Sequence, residues 1–310
     1  MSSKDAPAGR DLLAAAWTGT DLLVWGGRSC QQVNAPCADG AGYNPTQDRW
    51  TALPAVGAPS PRGWPTAVWT GKELLVWGGE DPLAGTVLGN GARYNPESRT
   101  WKPMASLHAP SARRYQAAVW TGTRLLIWGG DGGATRDVAL RDGAQYDPVL
   151  DRWEPLPLAG APRGRWAHSA VWTGRELWIF GGLGCGSDFQ GGPMLCGDGG
   201  RFNPGTGTWT SLPTAGAPTP RSGHSAVWTD RGMLVFGGSA GHCQDGSSGP
   251  CRDGALLDAA GARWSPLPPA SAGRSGHSAA WTGTQLLVFG GELSGCGGAC
   301  PVGEELTLGP

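Results

Sequence analysis

A short apolar run that ends in two glycines recurs six times along the chain. The first two copies are residues 22–27 and 74–79, both LLVWGG. The others are residues 125–130 (LLIWGG), 177–182 (LWIFGG), 233–238 (MLVFGG) and 286–291 (LLVFGG). Runs this short, rich in β-branched and aromatic residues, predict strands buried on both faces. The second glycines lie 51 to 56 residues apart, which is a period typical of solenoids and propellers.

Polar turns and proline steps divide each repeat into four predicted strands, which we label A to D. Strand A ends in a Trp before a tight turn, as in residues 69–72 (WTGK), and strand B is the apolar run. Strand C leads into an Asn-Pro or Asp-Pro step, which opens a type I turn, and strand D holds another Trp. A proline-rich connector such as residues 55–62 (AVGAPSPR) then joins D to the next A. Eight extended residues easily cross the roughly 15 Å from the outer to the inner edge of neighbouring sheets.

Four-stranded antiparallel sheets repeated around an axis form a β-propeller. We therefore predict an all-β, six-bladed propeller as a single domain over residues 10–310, after an N-terminal tail of residues 1–9. The blades cover about residues 10–54, 62–107, 113–158, 165–213, 221–268 and 274–310. The sixth repeat has no strand D with a Trp, so we expect an incomplete last blade of three strands or a chain truncated at its C-terminus. An open β-solenoid is the alternative, but it does not need connectors this long.

Composition and charge narrow the class of protein. The 54 Gly and 26 Pro would indicate disorder without a period, but 17 Trp at fixed spacing indicate a filled core. Only 16% of residues are charged and the net charge is −1, which argues against nucleic acid or an anionic membrane as a partner. No apolar run approaches the ~18 residues of a membrane span. Residues 1–9 lack the apolar centre of a signal peptide.

The eight cysteines fall in pairs within single B–C loops. The pairs are Cys30 and Cys37, Cys185 and Cys196, Cys243 and Cys251, and Cys296 and Cys300. This arrangement predicts four local disulfides that stiffen the loops. Zinc sites and free thiols are the alternatives, although no loop has the four ligands of a structural zinc site. Disulfides predict an oxidising compartment, so we expect a secreted or periplasmic protein whose leader has been removed.

The repeat resembles the Kelch repeat. The resemblance rests on the glycine doublet, on an aromatic residue before Asn-Pro or Asp-Pro, and on a Trp about six or seven residues later. The aromatic residues are Tyr43, Tyr94, Tyr146 and Phe202. The resemblance extends from residue 10 to about residue 308 and implies a six-bladed Kelch-type propeller with strand A innermost. The fifth repeat departs from the pattern, with Leu257, Asp258 and Ala259 at these positions.

One arginine stands seven residues before the Trp of strand A in every repeat. These ring arginines are Arg10, Arg62, Arg113, Arg165, Arg221 and Arg274. Because D–A connectors and B–C loops share one end of the blades, we expect six guanidiniums near a channel mouth, where they would bind carboxylates or phosphates. The alternative is that each arginine caps backbone carbonyls of a neighbouring blade. In Kelch adaptors of ubiquitin ligases, which the chain resembles at the level of the repeat, such arginines bind acidic peptides.

The positions after the ring arginine differ between the two halves of the chain. The second position holds Leu12, Trp64 and Tyr115 in blades 1 to 3, and Ala167, Gly223 and Gly276 in blades 4 to 6. The third position holds His168, His224 and His277 in blades 4 to 6. The candidate ligand-binding residues are therefore the ring arginines with Trp64, Tyr115, Trp166, His168, His224 and His277. The histidines alternatively belong to a hydrogen-bonded turn of the repeat, and no carboxylate or Cys is placed to complete a metal site.

These residues favour a binding propeller over an enzyme. We expect its loop face to recognise an acidic or sugar-like ligand or a protein partner, without a cofactor. One alternative is a carbohydrate or small-anion enzyme of the Kelch mutarotase or epimerase type, with Glu80, Asp131 or Glu292 as the acid. Another is a structural module of a larger surface protein. A Kelch-type copper-radical oxidase is disfavoured, because three of the four Tyr are strand C repeat residues and the cysteines are paired.

Overall fold

The computed structural model describes residues 2–30, 35–133, 138–187, 191–293 and 303–307. These residues form strands, turns and loops, and no helix occurs among them. A helix long and apolar enough to cross a membrane is accordingly not found in the described ranges. The chain divides into two compact units, Met1–Leu156 and Pro157–Pro310, each of which is described by itself.

The first unit contains three four-stranded antiparallel sheets, blades 1 to 3, each with its strands in the order A-B-C-D. Blade 1 consists of β1 (Ala14–Trp17), β2 (Leu22–Trp25), β3 (Gly40–Asn44) and β4 (Arg49–Ala52). Blade 2 consists of β5 (Thr66–Trp69), β6 (Leu74–Trp77), β9 (Gly91–Asn95) and β10 (Thr100–Pro103), with β7 (Glu80–Asp81) and β8 (Thr86–Val87) in its B–C loop. Blade 3 consists of β11 (Ala117–Trp120), β12 (Leu125–Trp128), β13 (Gly143–Asp147) and β14 (Arg152–Pro155).

The second unit contains blades 4 to 6. Blade 4 consists of β15 (Ser169–Trp172), β16 (Leu177–Phe180), β19 (Gly199–Asn203) and β20 (Thr208–Ser211), with β17 (Leu183–Ser187) and β18 (Pro193–Leu195) in its B–C loop. Blade 5 consists of β22 (Ser225–Thr229), β23 (Gly232–Phe236), β26 (Gly254–Asp258) and β27 (Trp264–Pro266), beside the short strands β21 (Arg221–Ser222), β24 (Ser239–Ala240) and β25 (Gly249–Pro250). Blade 6 consists of β29 (Ser278–Trp281), β30 (Gln285–Phe289) and β32 (Gly303–Thr307), beside β28 (Arg274–Ser275) and β31 (Glu292–Leu293).

Blade 6 has three strands in the part of the chain that the structure describes. The predicted strands A, B and C are all present, and β30 pairs with both β29 and β32. The sequence-based expectation of all-β, four-stranded blades with a shorter last blade is confirmed for these residues.

The hydrophobic core of each unit lies between successive blades. Leu74 and Val76 of β6 pack with side chains of blade 1, whereas Leu75 and Trp77 of the same strand pack with blade 3. All four residues are buried. Side chains alternate across a strand, so strand B fills the gaps on both of its faces, as its uninterrupted apolar sequence predicts.

The strand D tryptophans join each blade to the segment that follows the preceding blade. The indole N–H of Trp101 donates to the carbonyl of Pro54 at 2.9 Å, and that of Trp153 donates to Ala105 at 2.8 Å. In blade 1 the indole of Trp50 donates to Ser2 at 3.1 Å. The N-terminal tail thus takes the place that a D–A connector has in the other blades.

The glycine doublets allow a close approach between neighbouring blades. Gly79 has a φ of 96°, and its N–H donates to the carbonyl of Arg113 in the next blade at 2.9 Å. A Cβ at this position would lie 2.5 Å from the carbonyl oxygen of Gly63. Only glycine therefore fits, which accounts for the second glycine of the repeat.

Candidate functional site

D–A connectors and B–C loops lie at the same end of the blades within each unit. The residue after the ring arginine forms an antiparallel bridge with the residue after the glycine doublet. In the first unit these pairs are Asp11 with Arg28, Gly63 with Glu80, and Arg114 with Asp131. In the second unit Trp166 pairs with Leu183 in the same way. The predicted loop face thus exists within each unit.

The ring arginines are buried inside their own blades. The side chain of Arg113 is fully buried, and its Nε donates to the carbonyl of Ser111 at 2.8 Å. Its Nη1 donates to the carbonyls of Gly129 and Asp142 at 2.9 and 3.1 Å. Its Nη2 lies 3.0 Å from the carboxylate of Asp142. The guanidinium therefore ties strands B and C of its own blade to the connector.

Each of the other ring arginines also donates to the carbonyl of the first doublet glycine in its own blade, while Asn90 takes the place of the aspartate in blade 2 and Glu304 in blade 6. Arg62, Arg165 and Arg221 are also fully buried, Arg274 is 2% exposed, and the side chain of Arg10 is 4% exposed. Burial lowers the pKa of Arg113, Arg165 and Arg221, and lowers that of Arg62 to about 10. Because these guanidiniums are occupied by carbonyls and carboxylates, we withdraw all six from the candidate ligand-binding set. They cap carbonyls of their own blade, rather than of a neighbouring blade as the alternative reading expected.

Two of the three histidines, His224 and His277, form contacts between blades of the second unit. Nε2 of His224 lies 2.8 Å from Oγ of Ser169 in blade 4, and Nε2 of His277 lies 2.8 Å from Oγ of Ser225 in blade 5. Burial lowers the pKa of His224 to about 3 and that of His277 to about 4. Burial also holds the pKa of His168 well below its ordinary value. The histidines are therefore neutral and structural, and we withdraw them from the candidate set together with the arginines.

Disulfides anchor the B–C loops. Cys30 is bonded to Cys37, Cys185 to Cys196, and Cys243 to Cys251. The second cysteine of each pair stands two residues before the aspartate that binds the ring arginine, as Cys37 does before Asp39. The loop is thus covalently held next to that ion pair. The predicted pair Cys296 and Cys300 lies outside the described residues.

Bulky residues in the first unit adopt a backbone conformation that normally selects glycine. Leu12, Trp64 and Tyr115 have φ values of 55°, 51° and 54°. Gly223 and Gly276 occupy the equivalent position in the second unit, with φ values of 63° and 66°. The left-handed region costs a non-glycine residue about 1–2 kcal/mol. Ala167 in blade 4 has a φ of 52°, so this conformation belongs to every repeat, and blades 2 and 3 differ by placing a large aromatic side chain on it.

Trp64 and Tyr115 contact each other with their rings tilted by 59°, and each packs against an arginine. Their ring centroids are 5.0 Å apart. The guanidinium of Arg28 lies 4.8 Å from the Trp64 ring centroid, and that of Arg114 lies 5.2 Å from the Tyr115 ring centroid. All four side chains are partly exposed. We call Arg28, Trp64, Arg114 and Tyr115 the aromatic–arginine patch.

Carboxylates hold both arginines of the patch in place. Nε of Arg28 lies 3.2 Å from Asp11, and Nε of Arg114 lies 3.0 Å from Asp131. Arg114 also binds the carboxylate of Glu80. Asp131 is fully buried and accepts the N–H groups of Gly133 and Val138 at 2.9 and 2.8 Å. Two of the acids considered for an enzyme, Glu80 and Asp131, are thus engaged in positioning Arg114.

The structure brings together only part of the predicted site. Trp64 and Tyr115 lie in the patch, whereas Trp166 and the histidines belong to the second unit. Sequence reasoning missed Arg28 and Arg114, since each occurs in one repeat and has no counterpart at the same position in the others. The sequence did carry a signal for these two arginines. In blades 1 and 3 the residue after the ring arginine and the residue after the glycine doublet have opposite charges, as Asp11 and Arg28 do and as Arg114 and Asp131 do.

Comparison with known proteins places the chain among Kelch proteins. The family described as the KLHDC2/KLHL20/DRC7 Kelch-repeats domain matches residues 12–238 and again residues 65–291. Kelch domain-containing protein 3 of Rattus norvegicus is 23% identical over 235 residues, which cover 73% of this chain and 60% of that protein. Kelch-like protein 33 of Homo sapiens is 34% identical over 136 residues, which cover 44% of this chain and 24% of that protein.

A relative named as an enzyme also matches. The N-(sulfonatooxy)prop-2-enimidothioate sulfolyase of Thlaspi arvense is 26% identical over 202 residues, which cover 63% of this chain and 57% of that protein. The chain spans less than two thirds of the length of each of these relatives. The repeat geometry and the match to the family description over residues 12–291 agree, and the chain belongs to the Kelch-repeat family.

Proposed function

We propose that the chain is a protein-interaction module that binds a segment of a partner protein through the aromatic–arginine patch. Trp, Tyr and Arg are the residue types enriched among the strongly contributing residues of protein interfaces. Two known relatives are named as Kelch domain-containing and Kelch-like proteins, which supports an interaction role. The observation that carries the proposal is the pair of partly exposed rings of Trp64 and Tyr115, 5.0 Å apart, each with an arginine packed against it.

The geometry favours a flat or apolar side chain as the bound group. The rings of Trp64 and Tyr115 present partly exposed apolar surface at low conformational cost, because the arginines already pack against them. Arg28 and Arg114 are each paired with carboxylates. These carboxylates offset the charge of both arginines, so the patch does not present a strong positive field. The patch therefore favours an acidic ligand less than the sequence analysis expected.

The three disulfides support a further part of the proposal, namely that the protein works in an oxidising compartment. A secreted or periplasmic setting fits this chemistry. The disulfide-bonded B–C loops keep the connector end of the blades rigid, which reduces the entropic cost of binding a partner there.

The test is selection from a random peptide library displayed on phage. The double variant Trp64→Ala and Tyr115→Ala removes both rings, and it is expected to fold because Ala167 has the same backbone conformation, with a φ of 52°. Trp17→Ala is the matched control, since Trp17 is 52% exposed but lies at the end of strand A, next to the A–B turn. Thermal unfolding verifies that each variant is folded.

Peptides enriched on the wild-type chain should bind the Trp17→Ala control equally well and should lose binding to the double variant. A loss of about 30-fold or more corresponds to the contribution expected of two central aromatic residues. Equal binding of the enriched peptides to the double variant and the wild type would overturn the proposed site.

A further inference from the structure

A cavity lies between the A–B turns of blades 2 and 3, at the end of these blades away from the aromatic–arginine patch. Its volume is about 530 Å³, which is in the range of small-molecule sites. Its wall includes Lys72 and Glu73 of blade 2, Arg93 of β9, and Trp120, Arg124 and Val149 of blade 3. None of the residues of the aromatic–arginine patch lines it.

Blade 4 has a larger residue than blade 2 at one repeat position, beside the equivalent gap between blades. Leu75 is the second residue of β6 and pairs with Arg93. Trp178 is the second residue of β16 and pairs with Arg201 in the same register. The Trp178 indole fills the gap between blades 4 and 5, where its ring centroid lies 5.2 Å from that of Trp228. Leu75 is buried against blade 3, and a Trp at this position is expected to fill the gap between blades 2 and 3 as Trp178 does between blades 4 and 5.

The cavity wall carries more positive than negative charge. Lys72 is exposed and forms no ion pair with any carboxylate in the described residues. Arg93 lies 3.8 Å from Glu73 and donates through Nη1 to the carbonyl of Pro148. Its Nε is buried and has no hydrogen-bond partner within the described part of the chain. Arg124 is 3.0 Å from Asp147, which is 4% exposed and lies behind the wall.

We infer that this cavity binds a small organic anion that carries a flat apolar body, such as an aromatic carboxylate or sulfonate. The accessible part of the Arg93 guanidinium and the ammonium of Lys72, both in the cavity wall, bind the anionic group. Trp120 provides the aromatic surface against which the apolar body packs. This site is independent of the proposed protein-binding patch, so either proposal stands if the other fails.

The probe for the test is 1-anilinonaphthalene-8-sulfonate, an aromatic sulfonate whose fluorescence rises on binding. N-phenyl-1-naphthylamine has the same rings without the sulfonate and serves as the uncharged comparison. Both are titrated into the folded chain and into the variants Leu75→Trp, Arg93→Gln and Lys72→Gln. Arg201→Gln is the matched control, because it changes the same repeat position where Trp178 fills the gap. Thermal unfolding establishes that each variant is folded.

We expect saturable binding of about one sulfonate probe per chain. Arg93→Gln should weaken the sulfonate about tenfold, Lys72→Gln should weaken it less, and both should leave the uncharged probe within about twofold. Leu75→Trp should abolish binding of both probes, and Arg201→Gln should change neither. Sulfonate binding that is unchanged in Arg93→Gln, or reduced equally by Arg201→Gln, would overturn the inference. If Leu75→Trp does not fold, the affinities of Arg93→Gln for the two probes still test the inference.

Discussion

The guanidinium of Arg62 lies 3.0 Å from the amide oxygen of Asn90, at a position where four other blades place an aspartate carboxylate. Asn90 is exposed at its position before strand C, as Asp142 is in part. The absence of this negative charge leaves Arg62 with a pKa lowered by burial to about 10. Blade 2 therefore lacks the negative charge that faces the ring arginine in blades 1, 3, 4 and 5.

Asn90→Asp should stabilise the protein. The new carboxylate pairs with a fully buried guanidinium, and we expect the free energy of unfolding to rise by about 0.5–1 kcal/mol at pH 7, with partial exposure limiting the gain. The reciprocal change, Asp142→Asn, should lower it by a similar amount. Urea unfolding of both variants measures the difference. A decrease in stability for Asn90→Asp would contradict the assigned role of the ring arginines.

The buried histidines predict a pH dependence of stability. The folded-state pKa values of His224 and His277, about 3 and 4, lie below the unfolded value near 6.5. Between pH 6.5 and pH 4 the unfolded chain binds protons that the folded chain does not. This stabilisation is therefore complete above pH 6.5 and is lost as pH falls, at about 1.4 kcal/mol per pH unit for each histidine.

His224→Gln isolates this effect, because glutamine occurs at the same repeat position in blade 3. There Nε2 of Gln116 donates to Oγ1 of Thr66 at 2.9 Å, just as His224 contacts Ser169. The variant should keep the contact and lose the titration. Its free energy of unfolding, measured between pH 4 and 6.5, should fall less steeply than that of the wild type. Parallel curves would show that His224 does not stay neutral in the folded protein.

The C–D turns offer a matched pair of glycine substitutions. Arg99 and Asp151 both adopt positive φ, 52° and 47°, where blade 4 has Gly207. Asp151 accepts the Tyr146 hydroxyl and the N–H of Ala105, whereas the Arg99 side chain donates to the carbonyl of Ala52 at the surface. Relief of backbone strain is common to both changes.

Arg99→Gly should therefore be neutral or stabilising by up to about 1 kcal/mol, and Asp151→Gly should destabilise by about 1–3 kcal/mol through the loss of two partly buried hydrogen bonds. Thermal and urea unfolding of the two variants test this order. Equal effects of the two substitutions would show that the Asp151 contacts contribute little.

The cysteines predict a low thiol content. Denatured, unreduced protein should show at most the thiols of Cys296 and Cys300, since the other six cysteines are bonded. Each bond closes a short loop and contributes at most about 2–3 kcal/mol. A thiol reagent added in denaturant provides the count. Eight reactive thiols would remove both the disulfides and the argument for an oxidising compartment.

The repeat, its strands and its disulfide loops were predictable because each is written several times at fixed spacing. The role of the ring arginines was not, although a signal existed: Asp or Asn immediately precedes the glycine of strand C in blades 1 to 5, as Asp142 precedes Gly143. A recurring Arg with a recurring acid indicates an internal ion pair rather than a ligand site. The arginine of each repeat can then be assigned to its own blade.

The candidate sites depend on features that occur only once, which periodic reasoning does not detect. The stacking of Arg28 on Trp64 joins side chains from blades 1 and 2, 36 positions apart in the sequence. The cavity depends on how side chains of blades 2 and 3 pack, and Trp178 packs against blade 5 at the position where blade 2 has Leu75. Distances and volumes of this kind follow from packing between blades, not from the sequence of one repeat.

The most direct test of the account is the affinity of a library-selected peptide for the single variants Trp64→Ala and Tyr115→Ala, measured by calorimetry beside Trp17→Ala. The aromatic–arginine patch predicts a loss of about tenfold or more for each patch variant and an affinity within about twofold of wild type for the control. Unchanged affinity in both patch variants would contradict the claim that this patch is the binding surface.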